Sequence, residues 1–466
     1  MRRPSRAKTS LVIIFGAFLV LSINWLIILV RSNLATNNRG ESKGGVVPPL
    51  LRSTERRNIF LDLDEVESIE TPKEDNVKRL RNEAQGDMEK SIIIHTQPIE
   101  SKTSTYVAPE HLSEAKPKEA GKVHIFFYSW WGTPSGPIEK TYAHWNHAVL
   151  PHWSKQVNEG MKELIGKVYS PPEEIGANFY PQGGPYSSSD PVVIERHARE
   201  MRKAGTNVVI LSWYPPGKAD SNGVPELADL ITPQLLDAFH EQGLQLAFHI
   251  EPYAGRSAQS VWDDAEYITL RYGKHPALAR IKGLPILYVY DSYLISQLDW
   301  ANMMEKYASR PKNAVYLGLV VEENHLKQIA ETHFFDGYFT YFAAEGFVWG
   351  STMKNWQKIT SFARDHHMLS SISVGPGYED TRIRPWNNVN SRPRKGGSTY
   401  RNAIQAAAEA NPDFISITSF NEWHEGTQIE PAVTKQGYMD YGEDDPDMYL
   451  TLTKQLTSEY FPQPSE

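Results

Sequence analysis

From Lys122 onward, short apolar runs alternate with stretches of helical period. In order, the runs are VHIFFYSW (123–130), NVVILSWY (207–214), LQLAFHIEPY (244–253), LPILYVYDSY (284–293), AVYLGLVV (314–321), GYFTYFA (337–343), LSSISVGPGY (369–378) and DFISITSFNEW (413–423). Their β-branched and aromatic content marks them as strands. Between most of them the apolar residues recur at helical spacing, as in DPVVIERHAREMRKAG (190–205), where Asp190 can cap the helix, Pro191 fits its first turn and Gly205 its end. ITPQLLDAFHEQG (231–243), QSVWDDAEYITLRYG (259–273) and YRNAIQAAAEANP (400–412) repeat the pattern. Runs buried on both faces, alternating with helices, predict parallel strands joined by crossover helices. Eight such units predict an α/β fold, a (β/α)8 barrel of the TIM type with long inserted loops, over residues 122–466. A doubly wound open sheet is the rival, but it commonly carries a glycine-rich turn after its first strand. Here that strand runs into YSWWGTP, and GPGY at 375–378 reads as a turn.

The amino-terminal part is patterned differently. Leu11 to Val30 is an apolar run of 20 residues broken only by Ser22 and Asn24, long enough to cross a bilayer. Arg2, Arg3, Arg6 and Lys8 precede it with no acid among them, so residues 1–10 are expected in the cytosol and the rest of the chain on the far side. A cleaved signal peptide is the alternative, but its apolar region is commonly about 7 to 15 residues. Residues 31–121 lack tryptophan and are rich in Lys, Glu, Asn, Ser and Pro, the texture of a polar stem. No Asn-x-Ser/Thr acceptor occurs in the chain.

Composition narrows the chemistry. With 466 residues, 40% of them hydrophobic, the chain can bury a large core. A net charge of -8, with basic residues interspersed among acids, leaves no broad positive field for a phosphate backbone, so nucleic acid is not an expected partner. Absence of cysteine removes disulfides, thiolate metal sites and a thiol nucleophile.

In a barrel, reactive groups sit at the carboxyl ends of the strands. Those ends carry Tyr128, Trp130 and Trp131; Trp213 and Tyr214; His249, Glu251 and Tyr253; Tyr290, Asp291 and Tyr293; Tyr341; Tyr378; and Asn421, Glu422, Trp423 and Glu425. Flat rings interleaved with acids suit a neutral, hydroxyl-rich ligand, because C–H faces stack on aromatics and hydroxyls bond to carboxylates. A sugar is implied. Almost sixty residues separate the first strand from its helix. They contain YAHWNH, with His144 and Trp145, and NFYPQGGPYSSSD (178–190), whose composition suits a mobile lid over the barrel mouth. Arg384 and Trp386 lie on a second long loop, 377–399, which reads either as part of the site or as surface decoration.

Acetal cleavage needs one carboxyl group to protonate the leaving oxygen and a second group to act on the anomeric side. Glu422 and Glu425, three residues apart, qualify as that pair, although their spacing does not choose between retention and inversion. His144 and His147, or Glu422, His424 and Glu425, match no closed metal-ligand spacing, so neither metal nor cofactor is expected. A G-x-S-x-G elbow is lacking, which disfavours an esterase. A sugar-binding protein without catalysis remains an alternative.

SWYPPG (212–217), FHIEPY (248–253), YVYDSY (288–293), SVGPGY (373–378), IRPWN (383–387) and above all SITSFNEWHEGTQIEP (416–431) resemble the glycoprotein endo-alpha-1,2-mannosidases, glycoside hydrolase family 99. The resemblance runs from about Val123 to Tyr460. It implies a barrel in the Golgi lumen, held by a type II anchor, that acts on N-linked oligosaccharides and releases Glc-α1,3-Man with retention. By the same correspondence, Glu422 is the base for the sugar's own 2-hydroxyl and Glu425 the general acid/base, while Tyr214 lines the glucose pocket and Glu251 and Tyr341 contact the cleaved mannose. An endo-acting mannanase on plain mannan is the nearest variant. Trp131 stands where the family more often has tyrosine.

Overall fold

A computed structural model describes residues 119–218, 227–442 and 445–462. The expected tail, the anchor at 11–30 and the stem up to residue 118 lie outside the described residues. Among the described residues no helix is long and apolar enough to cross a membrane.

Each of the eight apolar runs contains one strand of a closed parallel barrel. These are β1 (Val123–Phe127), β2 (Val208–Trp213), β3 (Gln245–Ile250), β5 (Leu284–Val289), β6 (Val315–Leu319), β7 (Gly337–Phe339), β8 (Leu369–Val374) and β9 (Phe414–Ile417). Neighbours pair in that order, and the ring closes because β9 also pairs with β1. A short strand the pattern does not predict, β4 (Arg280–Ile281), lies antiparallel on β5. The closed ring excludes the doubly wound alternative.

Helices form where spacing and caps agree. The first turn of the helix Pro191–Lys203 is capped by Asp190, whose Oδ1 accepts from the Val192 amide at 2.9 Å, and Val193, Ile194, His197, Ala198 and Met201 supply its buried face. Ser257 and Ser260 form a reciprocal capping box on Ala258–Tyr272. The crossovers Leu227–Glu241, Gln297–Lys306, Asn324–Glu331, Trp356–Asp365 and Ser398–Ala410 follow β2, β5, β6, β7 and β8, and Met448–Tyr460 comes after β9.

Alternation within the strands then sorts side chains into two cores. Val123, Ile125 and Phe127, Val209, Leu211 and Trp213, Leu246, Phe248 and Ile250, and Ile415 and Ile417 belong to the large apolar cluster between strands and helices. Their alternates point into the barrel, where the rings of Phe126, His249, Tyr288, Phe339 and Tyr341 meet edge to face, tilted or stacked with centroids 5.0–6.2 Å apart. Serines also meet in the buried interior: Ser373 and Ser416 hydroxyls are 2.8 Å apart. This inner stack rises to the carboxyl ends of the strands and becomes the floor of the site.

Candidate active site

The segment after β9 is a closed loop that presents both glutamates. Its peptide Thr418–Ser419 is cis. The Ser419 amide donates to the Thr427 carbonyl and the Ile429 amide to the Ser419 carbonyl, each at 3.0 Å, so the ends of the loop are pinned together. Asn421 ties the loop to β1, accepting from the Tyr128 amide and donating to the Tyr128 carbonyl, both at 2.8 Å. Arg394 supports the segment beyond Glu425: its Nη2 donates to the carbonyls of Gly426 at 2.9 Å and Gln428 at 2.7 Å. The guanidinium lies 4.5–4.7 Å from the ring centroids of Phe179, Tyr441 and Tyr449.

The two carboxylates at the tip differ in access. Glu422 is buried, and its Oε1 accepts from the His424 amide at 3.2 Å. The Glu425 side chain is 25% exposed and faces Arg384 Nη1 at 3.9 Å. Burial raises the proton affinity of both. For Glu422 the neighbouring Glu425 adds to this and pushes the group well above the usual carboxylate range, against the pull of Arg384 and the His424 amide. Glu425 is pushed up to about 7, burial being partly offset by Arg384. A carboxyl group near neutrality can both give and accept a proton.

Around this pair stand groups from six other strand ends. The Tyr128 and Tyr341 hydroxyls are 2.5 Å apart, and both act electrostatically with Glu422 and Glu425. Tyr341 adopts φ 55° and is held there by Ser373, which accepts from its amide at 2.7 Å, and by Thr418, which donates to its carbonyl at 2.5 Å. Non-glycine residues in this conformation cost energy and cluster at functional sites; His144 (φ 61°) and Asp291 (φ 47°) share it. His249 Nδ1 lies 3.0 Å from Glu251 Oε1, which also accepts from Ser212 Oγ at 2.8 Å. Tyr290 meets both His249 and Tyr341 edge to face. Arg256 joins the ends of β3 and β5 through the carbonyls of Ile250, Tyr290 and Asp291. The Asp291 carboxylate accepts from the Tyr293 hydroxyl at 2.7 Å, and burial raises its proton affinity. Tyr214 is partly exposed at the end of β2, within electrostatic reach of Arg256. Tyr378 and Arg384 come from the loop after β8 and both bond to Asp380 Oδ2.

Five residues expected to contact the ligand are enclosed in this structure. Trp131, Trp145, Trp213, Trp423 and Asn421 are 0% exposed, so they build the walls from behind. Trp213 faces the helices and donates Nε1–H to Asp229 at 3.2 Å, whereas its neighbours Ser212 and Tyr214 have the opposite parity and point toward the lumen. Likewise Trp130, not Trp131, is partly exposed, lying between Tyr128 (4.7 Å) and His144, on which it stacks at 4.6 Å. The His144 carbonyl accepts from His424 Nε2 at 2.9 Å. Tyr253 is half-buried, with its hydroxyl directed to Ser260 and Asp264 on the following helix. Trp386 packs on Trp153 and His152 and donates to the Leu150 carbonyl, which places it at the junction of the two long loops.

The segment expected to form a lid is packed at its serine end. Tyr186, Ser187, Ser188 and Ser189 are at most 4% exposed. Ser187 and Ser189 hydroxyls donate to Glu139 Oε2 at 2.5 and 2.6 Å, and the Tyr186 hydroxyl donates to Glu430 Oε2 at 2.7 Å. The serine run ties the carboxyl end of this segment to Glu139, while Gln182 and Gly183 are exposed.

Sequence reasoning passed over Asp380, Tyr186, Arg394 and Glu430. Glu430 accepts from Tyr186 and Trp423 and lies near Arg196 and His197, bracing the loop that carries Glu422 and Glu425. Among the described residues, His197, Glu200 and Glu430 bring possible metal-ligand atoms within 4.8 Å of one another. Arg196 Nη2, 3.4 Å from Glu430 Oε1 and 3.2 Å from His197 Nε2, gives that cluster its own cation.

Known proteins carry the same arrangement of sequence. The glycoprotein endo-alpha-1,2-mannosidase of Rattus norvegicus is 44% identical over 352 residues, covering 72% of this chain and 74% of its own. The endo-alpha-1,2-mannosidase-like protein of Homo sapiens is 43% identical over the same length, with 72% and 75% covered. The solved GH99 endo-alpha-mannosidase from Bacteroides thetaiotaomicron aligns with a TM-score of 0.66 at 39% identity, over 74% of this chain and 98% of that one. Residues 119–462 match Glycosyl hydrolase family 99. A barrel whose last strand delivers two carboxylates to an aromatic mouth, with this extent of similarity, makes the chain a member of glycosyl hydrolase family 99 and a glycosidase.

Proposed function

We propose that the protein is a retaining endo-α-1,2-mannosidase that cleaves glucosylated mannose, Glc-α1,3-Man, from N-linked glycans. The observation that carries this reading is the Glu422–Glu425 pair: one carboxylate buried, the other opening to solvent beside Arg384 with a proton affinity near neutrality. Endo-alpha-mannosidase activity in the named relatives supports it.

The two carboxylates take the roles that the family resemblance implies. Glu422, in its ionised form, takes the proton of the mannose 2-hydroxyl. The 2-oxygen attacks C1, the glycosidic bond breaks, and its electron pair takes the proton of Glu425, leaving a 1,2-anhydro sugar. Water then gives its proton to Glu425 and attacks C1, while the 2-oxygen recovers the proton from Glu422. Two inversions at C1 give retention. Glu251 and Tyr341 contact the mannose being cleaved, and Tyr214 borders the terminal glucose. The anchor at Leu11–Val30 holds the enzyme in the Golgi membrane with residues 122–466 lumenal.

The test is incubation of the full-length protein with Glc1Man9GlcNAc2, followed by mass spectrometry and NMR of the new reducing end. Release of an α-configured Glc-Man disaccharide, lost in Glu422→Gln, is expected. Preference for plain mannan, or glycan binding without cleavage, rejects the proposal. Protease applied to intact microsomes should spare the barrel; its digestion without detergent inverts the topology.

A further inference from the structure

Asp380 is 0% exposed, yet it lies one residue from the half-exposed Glu379 on the loop after β8. Three donors converge on its Oδ2: Asn387 Nδ2 at 2.8 Å, the Tyr378 hydroxyl at 2.9 Å and Arg384 Nη1 at 3.1 Å. The same Arg384 nitrogen is 3.9 Å from Glu425 Oε1. Arg384 is therefore shared between a buried carboxylate that fixes it and a reactive carboxylate that faces it. A loose arginine on a solvated loop could not keep a constant distance to Glu425, whereas one clamped by a buried acid can.

We propose that Asp380 is a positioning residue for the reaction: it holds Arg384 against Glu425 and balances the charge that Glu425 faces. This rests on the assignment of Glu425 as general acid/base. Left alone beside Arg384, Glu425 would remain ionised and be a poor acid; the Asp380 charge offsets the guanidinium and keeps the proton available. Other groups facing Glu425 are Glu422 on its own loop, Glu251 after β3, and the hydroxyls of Tyr128, Tyr290, Tyr341 and Tyr378 from β1, β5, β7 and β8. Burial keeps those tyrosines neutral through the range in which Glu425 titrates. Of all these groups Arg384 is the cation, so its pairing decides the balance.

Two full-length variants read this with opposite signs. Asp380→Asn keeps shape and removes the offsetting charge, so the alkaline limb of kcat/KM on Glc1Man9GlcNAc2 moves down by about one pH unit. Arg384→Gln removes the cation and leaves Asp380 charged, so the limb moves up by about one unit. Infrared titration of the Glu425 carboxyl, isolated by difference against Glu425→Gln, must move the same way in each variant, and it reads the proposal even if the glycan proves not to be the substrate. A fall in kcat with the limb and the carboxyl titration unmoved means that Asp380 is only structural and overturns the proposal. If Asp380→Asn does not fold, Asp380→Glu, which keeps the charge but moves the carboxylate that holds Arg384, decides: a Glu425 titration unmoved in that variant overturns the proposal. Failure of the wild-type protein to cleave the glycan, with the carboxyl shifts present, rejects the substrate assignment and leaves the positioning role standing.

Discussion

Glu422 and Glu430 are both buried glutamates of one loop, and the protein treats them in opposite ways. Glu430, 2% exposed, collects Tyr186 O–H, Trp423 Nε1–H, Arg196 and His197 around its two oxygens. Glu422, 4% exposed, receives one amide at 3.2 Å and faces a second carboxylate. A saturated carboxylate is a brace: its lone pairs are committed and its removal leaves donors without partners. An undersupplied one keeps lone pairs open to a further donor, which suits the proposed role of Glu422 toward a substrate hydroxyl. Burial alone therefore does not separate structural from catalytic acids; the supply of donors does.

Substitutions can break this contrast. The largest effect is expected for Glu425→Gln, which should lower kcat on the glycan about 100- to 10,000-fold while sugar binding, followed by calorimetry, persists. Near-normal turnover would remove Glu425 from its role. Next comes Trp213→Ala: emptying a fully buried indole should cost about 3–5 kcal/mol in denaturant unfolding, whereas Tyr214→Phe, one residue on, should raise KM and leave stability alone. Equal stability losses in the two would refute the parity sorting.

Glu430→Gln should destabilise the fold by about 1–3 kcal/mol with kcat largely kept; a selective loss of kcat at unchanged stability would make Glu430 part of the chemistry. The smallest effect concerns pH. Glu425 must be protonated to act as acid, so kcat/KM should fall as pH rises through about 7. The folded protein also holds this proton from the ordinary value of 4.5 up to about 7, where the unfolded chain has lost it. Stability contributed by the neutral form is thus lost as pH rises through that window, and Glu425→Gln should melt higher than wild type at neutral pH. Equal melting temperatures there would contradict the burial of the Glu425 proton.

Much of the barrel is legible in the chain because each of its parallel strands is covered on both faces and so reads as an uninterrupted apolar run. β4 is not, since two residues, Arg280 and Ile281, carry no periodicity. At the site, the strand ends disclose which residues gather but not which way they point. Trp213 and Trp131 attract notice by size, and size is what commits them to the outer core, while smaller or more polar alternates of opposite parity reach the lumen. Counting alternate positions inward from Phe126 on β1 would have preferred Tyr128 and Trp130 to Trp131.

The chain by itself determines the strand and helix order and the two glutamates of SITSFNEWHEGTQIEP, since local pattern and spacing are enough for both. Donor supply is decided only in three dimensions. Tyr186 and Glu430 stand 244 positions apart, and Tyr128 and Asn421 stand 293 apart, so no window of sequence contains either bond. Glu379 and Asp380 are adjacent acids in one loop, yet only folding sends the second inward to Arg384 and leaves the first at the surface. Charge is written locally, but desolvation and hydrogen bonding, which turn a carboxylate into a brace or an acid, are properties of the packed surroundings.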